Sequence, residues 1–155
     1  MMRQGNQPIK RHLSLQSISR EHHQILMLCW KIRSGFRKGI CKQRIQKYTR
    51  WFYLEYLLPH FKAEEQHIFP LLGLQNDLVK RALSERKKLH KLFQFEGDPE
   101  ICLGKIEEDL EAHIRFEERV LLNKIQEATS EQLLLNLETQ ISIPVFCDNE
   151  EDVFW

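Results

Sequence analysis

Apolar positions recur at steps of three and four through four long stretches of the chain, the period of one buried helix face. The first stripe reads Ile18, His22, Ile25, Cys29 and Ile32. It predicts a helix from Ser17 or Ser19 to Arg33, with a serine capping the free backbone amides and Gly35 and Gly39 at the exit. A second helix is expected from about Gln43 to Phe69, before Pro70 and Gly73; Pro59 lies inside it and should kink it or remove a hydrogen bond. Downstream of Phe52 its inward positions are Tyr56, His60, Glu64 and His67. A third helix, about Gln75 to Phe95, places Leu78, Ala82, Leu89, His90 and Phe93 on one face and stops at Gly97. Asp98-Pro99 is a start signal for the fourth, a side-chain cap followed by proline in the first turn. Its stripe is Leu103, Ile106, Leu110, His113, Glu117, Val120 and Leu121. A short fifth helix, about Glu131 to Thr139, follows Ser130. Short connections between long helices imply an all-α fold, an up-down-up-down four-helix bundle over about residues 15–126. A short C-terminal helix and tail (130–155) complete a single domain of residues 1–155. The tail from Pro144 to Trp155 mixes acids with Phe146, Phe154 and Trp155, too aromatic for a disordered end and suited to packing on the bundle or on another subunit.

The stripes are not all hydrocarbon. Each long helix carries a metal-capable side chain on its inward face: His22, then His60 with Glu64, then His90, then His113 with Glu117. Two helices repeat the spacing His-x-x-x-Glu, which stacks an imidazole and a carboxylate one turn apart on the same face. A buried, ionised glutamate without a partner is strongly disfavoured, and a multiply charged cation shared between facing helices would balance two of them. A single histidine on an apolar face is ordinarily a hydrogen-bonded core residue. Six such positions on four helices, with one spacing repeated, favour ligands instead. Four imidazoles and two carboxylates exceed a closed zinc site. Shared between two ions, without thiolate, they suit non-haem iron, with manganese second.

Charge and cysteine usage narrow the partners. The net charge is +1, and the one basic run, Arg81 to Lys91, is broken by leucines at helical spacing and reads as a solvated face. Neither nucleic-acid nor membrane binding is indicated, and no stretch approaches the roughly 18 apolar residues of a membrane span. Met1 to His12 lacks the apolar region of a secretion signal, so a cytoplasmic location is expected. Cys29, Cys41, Cys102 and Cys147 form no C-x-x-C pair, and Cys29 reads as an inert core thiol.

The stretches Glu21-His22-His23-Gln24-Ile25-Leu26, His60-Phe61-Lys62-Ala63-Glu64-Glu65-Gln66-His67-Ile68-Phe69-Pro70 and His113-Ile114-Arg115-Phe116-Glu117-Glu118 resemble the hemerythrin-like, HHE cation-binding family, over about Ser17 to Ile125. The resemblance implies a four-helix bundle around a pair of carboxylate-bridged iron ions. It places the metal ligands on His22, His60, Glu64, His90, His113 and Glu117. His22 is preferred to His23 because Ile25 and Leu26 follow it on the inward stripe. The third helix departs from the pattern. Oxygen-carrying hemerythrins have His-x-x-x-His there, whereas this chain has Arg86-Lys87-Lys88-Leu89-His90. A cation at Arg86 would repel a dication pair unless it swings out to solvent. The remaining four-His, two-Glu set is similar to the iron-repair and iron-sensing branches of the family. His67 could be a spare ligand, a partner to a carboxylate or a core histidine, the last two favoured; His12 and His23 read as surface residues.

The function this suggests is a binding or sensing protein whose iron takes dioxygen, nitric oxide or peroxide, or one that handles iron. A ferritin- or rubrerythrin-type oxidoreductase is the alternative, but such sites use two Glu-x-x-His motifs and this chain has one, Glu64 to His67. A bundle that has lost its metal and serves as an interaction module is the third reading, supported by Arg86. No Ser-His-Asp set or H-E-x-x-H motif points to a hydrolase.

Overall fold

In the computed structural model, which describes residues 10–141 and 145–155, the described residues contain helices and no strand. Most of the stretch read for a secretion signal, and Pro144 at the start of the tail, lie outside the described residues.

The first helix, Gln16–Arg37, starts earlier and ends later than expected. Neither Ser17 nor Ser19 caps it. A single 3-10 turn, Leu13–Leu15, leads into it, and the His12 ring accepts a hydrogen bond from the Ser14 amide at 3.1 Å at the head of that turn. Gly39, at φ +65°, makes the exit in the left-handed region that other residues avoid. Gly35 stays helical for a different reason: a Cβ there would lie 2.7 Å from Ile45 Cδ1, so its absence lets the first two helices close on each other.

The second helix runs through residues 42–68 in four stretches: α-helical Lys42–Phe52, a π-turn at Tyr53–Leu57, α-helical Leu58–Ala63, and a second π-turn at Glu64–Ile68. Pro59 has no N–H to donate, yet the helix continues. The turn before it widens so that the Leu58 amide reaches the carbonyl of Tyr53, five residues back. The third helix is Asp77–Gln94, capped by Asn76, whose side chain accepts from the Leu78 amide at 2.9 Å. The fourth occupies 99–128 as Pro99–Phe116, a π-turn at Glu117–Leu121, and Leu122–Ala128; Asp98 caps it as the sequence suggests. The fifth, Glu131–Gln140, is capped by Ser130.

The first helix packs along the fourth, the third also packs along the fourth, and the second meets both the first and the fourth. Burial divides the interior into two apolar clusters, one with Ile25, Phe52, Phe61, Leu89 and Leu110, the other with Ile18, Ile68, Ala82, Leu121 and Ile125. Every long helix crosses from one cluster to the other, between Ile18 and Ile25, Leu57 and Ile68, Ala82 and Leu89, and Leu110 and Leu121. At each crossing the inward side chain is polar: His22, His60 with Glu64, Arg86, and His113 with Glu117, all buried.

The two ends of this bundle are covered by the chain's own C-terminal pieces. Leu134 and Leu137 of the fifth helix close the second cluster. The tail closes the first. Phe154 is buried in it, and Lys31, itself buried, lies 2.5 Å from Asp148 Oδ2, donates to Tyr48 Oη at 2.8 Å, and sits 4.0 Å from the Trp155 ring centre. The Tyr56 hydroxyl donates to the carbonyl of Cys147 at 2.8 Å. No described helix is long and apolar enough to cross a membrane. Because Phe154 fills core volume, Phe154→Ala is expected to lower the unfolding free energy by about 3–5 kcal/mol in urea denaturation. The neighbouring, exposed Val153→Ala should change it by less than about 0.5 kcal/mol.

Candidate metal centre

The polar layer is built outward from two carboxylates. Glu64 and Glu117 are wholly buried, and each is the first residue of a π-turn. A wide turn shifts the side-chain register of a helix locally, and here it falls where the second and fourth helices turn a carboxylate inward. Two carboxylates side by side in a dry interior repel each other and resist ionisation, so the groups around them decide their state.

Arg86, from the third helix, is the group that donates to both. Its Nη2 donates to Glu64 Oε1 at 2.8 Å and to Glu117 Oε1 at 2.6 Å. Nε donates to His113 Nε2 at 3.3 Å and Nη1 to the Phe61 carbonyl at 3.1 Å. The guanidinium lies 4.1 Å from the Phe61 ring centre and 4.5 Å from that of Phe69. Arg86 does not swing out to solvent: the side chain is 1% exposed. Two aromatic faces and four hydrogen-bond acceptors hold it, and they replace the water it would otherwise seek. The rest of the basic run behaves as a solvated face, with Arg81, Lys87, Lys88 and Lys91 exposed.

Three histidines surround the carboxylates, each tied from outside by a further carboxylate. His22 Nδ1 lies 2.6 Å from Glu118 Oε2, His60 Nδ1 3.0 Å from Glu21 Oε1, and His113 Nδ1 3.0 Å from Glu85 Oε1. An outer carboxylate that accepts the Nδ1 proton fixes the ring's orientation and turns Nε2 inward. His22 Nε2 comes within 3.0 Å of Glu117 Oε2 and 3.7 Å of Glu64 Oε1, and His60 Nε2 lies against Glu64 Oε1. These approaches lack hydrogen-bond geometry: His22 Nε2, His60 Nε2, Glu64 Oε2 and Glu117 Oε2 are buried without a partner. One donor atom from each of His22, His60, Glu64 and Glu117 falls within 4.8 Å of the others.

The electrostatics follow. Burial pushes the Glu117 carboxyl up, but Arg86 and His113 outweigh it and hold the group well below the usual carboxylate range. Burial and the charge of Glu117 push Glu64 up, while His60 and Arg86 bring it below its ordinary value. Burial lowers His22, and Glu117, Glu118 and Glu64 raise it well above an ordinary imidazole; His60 and His113 are raised by the carboxylates that face them in the same way. Glu118, opposed by burial but bonded to His22 and Ser19, is held at about 2. The inner atoms are thus rich in electron pairs, and a metal ion and a proton compete for each Nε2.

A family model for the hemerythrin HHE cation-binding domain matches residues 13–125. The chain belongs to that family. No curated protein and no solved structure matches it.

Of the hemerythrin-type ligands anticipated from sequence, His22, His60, Glu64 and Glu117 converge. His113 is in the layer, but its Nε2 faces Arg86. His90 is not brought in. Its Nδ1 pairs with the Tyr53 hydroxyl at 2.7 Å, and it packs edge-on against Phe61. The inward position on that helix face, one turn earlier, belongs to Arg86. His67 is half-buried outside the cluster and His23 is exposed, whereas His12, expected on the surface, is half-buried and bonded to Glu131 at 2.9 Å. Cys29 is buried, its thiol pushed up to about 12 by burial. Glu21, Glu85 and Glu118 were not anticipated; each neighbours an inward residue in sequence, which is the signal that could have found them.

The donor set can be tested against the cation the HHE fold implies. Four unpartnered atoms, two nitrogens and two oxygens, fit one ion on the side of His22 and His60. On the side of His113 the facing oxygens and Nε2 already take hydrogen bonds from Arg86. In metal-free protein, Arg86→Leu would leave two facing carboxylates without the guanidinium they share. It should cost about 3–5 kcal/mol in chemical denaturation with chelator present. Adding Glu117→Gln should recover part of that loss.

Proposed function

We propose that this HHE chain is a non-haem iron protein that presents its iron to a small oxidant, dioxygen, nitric oxide or peroxide, inside an up-down-up-down bundle. The observation that carries the reading is the set of four unpartnered ligand-type atoms on His22, His60, Glu64 and Glu117. Buried polar atoms are ordinarily satisfied, and four left open toward a common point are explained by a cation. Mixed imidazole and carboxylate donors without thiolate favour iron, with manganese second. The alternating passage of the four helices between the two apolar clusters supports the bundle topology.

When bound, iron supplies a redox-active Lewis acid with positions open to a ligand. The chain's own residues do the rest. Glu118 and Glu21 hold the His22 and His60 rings by their Nδ1 atoms, so that Nε2 is presented without rotation. The two apolar clusters keep bulk water from the layer. A cavity of about 320 Å³, lined by Glu21, Ile25, Phe52, Tyr56, His60 and Phe146, reaches the His60 side and is large enough for a diatomic molecule or peroxide. Ferritin-type oxidation remains the alternative chemistry of the same centre. A metal-free interaction module is a second reading, supported by Arg86 as an internal counter-ion for the carboxylates.

Metal analysis of anaerobically purified protein separates these. Iron should copurify or be taken up as Fe(II), His60→Ala and Glu64→Ala should abolish it, and Glu21→Gln should weaken it by about 10–100-fold. Protein that neither contains nor takes up iron or manganese, and whose stability rises when His60 and Glu64 become apolar, would leave the interaction module as the answer.

A further inference from the structure

We propose that Arg86 is a built-in cation standing in for the second ion of the pair, so that the centre binds one divalent metal ion per chain. This rests on the metal-binding reading above and concerns its stoichiometry. The observation is a division of the layer into two halves. Glu64 Oε1, Glu117 Oε1 and His113 Nε2 accept from the Arg86 guanidinium at 2.8, 2.6 and 3.3 Å. Glu64 Oε2, Glu117 Oε2, His22 Nε2 and His60 Nε2 accept from nothing. Each glutamate therefore gives one oxygen to the guanidinium and keeps the other free. A carboxylate bridging two cations divides its oxygens in the same way, and here one of the two cations is covalently part of the chain.

The guanidinium has no route out that costs little. It is buried, flanked by Phe61 and Phe69, and anchored on the Phe61 carbonyl. Being planar and permanently charged, it can bond both carboxylates and the His113 ring at once, which a lysine ammonium could not reproduce in one geometry. A second dication would have to share the same oxygens with a fixed positive charge at hydrogen-bonding distance, where the interior screens little. His90, the third-helix residue expected as a ligand, is engaged by Tyr53. The first ion would be met by Glu64 Oε2, Glu117 Oε2, His22 Nε2 and His60 Nε2, none of which accepts from the guanidinium, although His60 Nε2 also lies against Glu64 Oε1, the oxygen that Arg86 bonds.

The test is stoichiometric. Metal-free protein is titrated anaerobically with Co(II), followed by visible absorption, and with Fe(II), followed by metal analysis after desalting. Circular dichroism checks the fold of each variant. Wild type is expected to bind one ion per chain, Arg86→Lys one, and Arg86→His two. Arg86→Gln, close in shape but uncharged, is the variant to use if the histidine fails to fold; it should bind the first ion about tenfold or more tightly, since a like charge has been removed. Two ions in wild type would overturn the proposal while leaving the metal reading intact. So would folded Arg86→His and Arg86→Gln proteins that bind as wild type does. No ion in wild type would overturn the metal reading itself.

Discussion

Two carboxylates from different helices, placed side by side away from water, are the constraint around which the rest of this protein is arranged. Glu64 and Glu117 cannot both stay ionised in that setting unless positive charge and hydrogen-bond donors come to them. The third helix supplies Arg86 and the first supplies His22, so the demand of two side chains is answered from all four long helices. This is also what gives the bundle its register. Sliding any one helix by a turn would leave a charged group facing hydrocarbon in one of the two apolar clusters, a much larger penalty than misaligned aliphatic packing. The π-turns at Glu64 and Glu117 fit the same logic, since they adjust the two carboxylates locally while the helices on either side continue.

The layer is not uniform, and its asymmetry separates what the chain provides for itself from what it must obtain. Around Arg86 every inner acceptor is satisfied, and that half would be stable in a protein that never met a metal. Around His22 and His60 it is not, although the outer half of each ring is well bonded. Holding Nδ1 of both rings with glutamates makes little sense for a packed core, where one hydrogen bond per ring and a dry contact would suffice. It makes sense where Nε2 must be aimed. The same feature serves His113, but there the ring's inner nitrogen is aimed at a guanidinium.

Much of this was legible in the chain itself, and the failures share a cause. Periodicity located every long helix, and Asp98-Pro99 marked the start of the fourth because its cap is purely local chemistry. The inward polar positions on the first, second and fourth helices were visible because an ionisable group on an apolar stripe is anomalous. Arg86 was also seen on the third helix, but it lay inside a basic run that reads as a solvated face. Arginine inside a basic run reads as surface, and nothing local reveals that Phe61 and Phe69 flank it. His90 failed in the opposite direction: it lies on an apolar stripe, yet a tyrosine from another helix satisfies it. Glu21, Glu85 and Glu118 are one step off an inward residue and so fall outside a search by helical period, although a side chain of that length at a helix edge can still reach the neighbouring ring. Pro59 marked a disturbance inside the second helix, and the wide turn just before it is the form that disturbance takes.

The two halves also differ in what lies outside them, and this ties the centre to its surroundings. The guanidinium side is flanked by the Phe61 and Phe69 rings. The cavity lies on the other side, and its wall includes both His60 and the glutamate that holds it. A small molecule coming through that cavity would meet the half of the layer that has unpartnered donors, not the half that is neutralised. Part of the cavity wall is Phe146, from the tail whose far end is fixed by Phe154 in the core and by Asp148 on Lys31. The aromatic tail therefore does more than cover an end of the bundle: by fixing Phe146 against Phe52 and Tyr56, it sets the shape of the cavity beside His60.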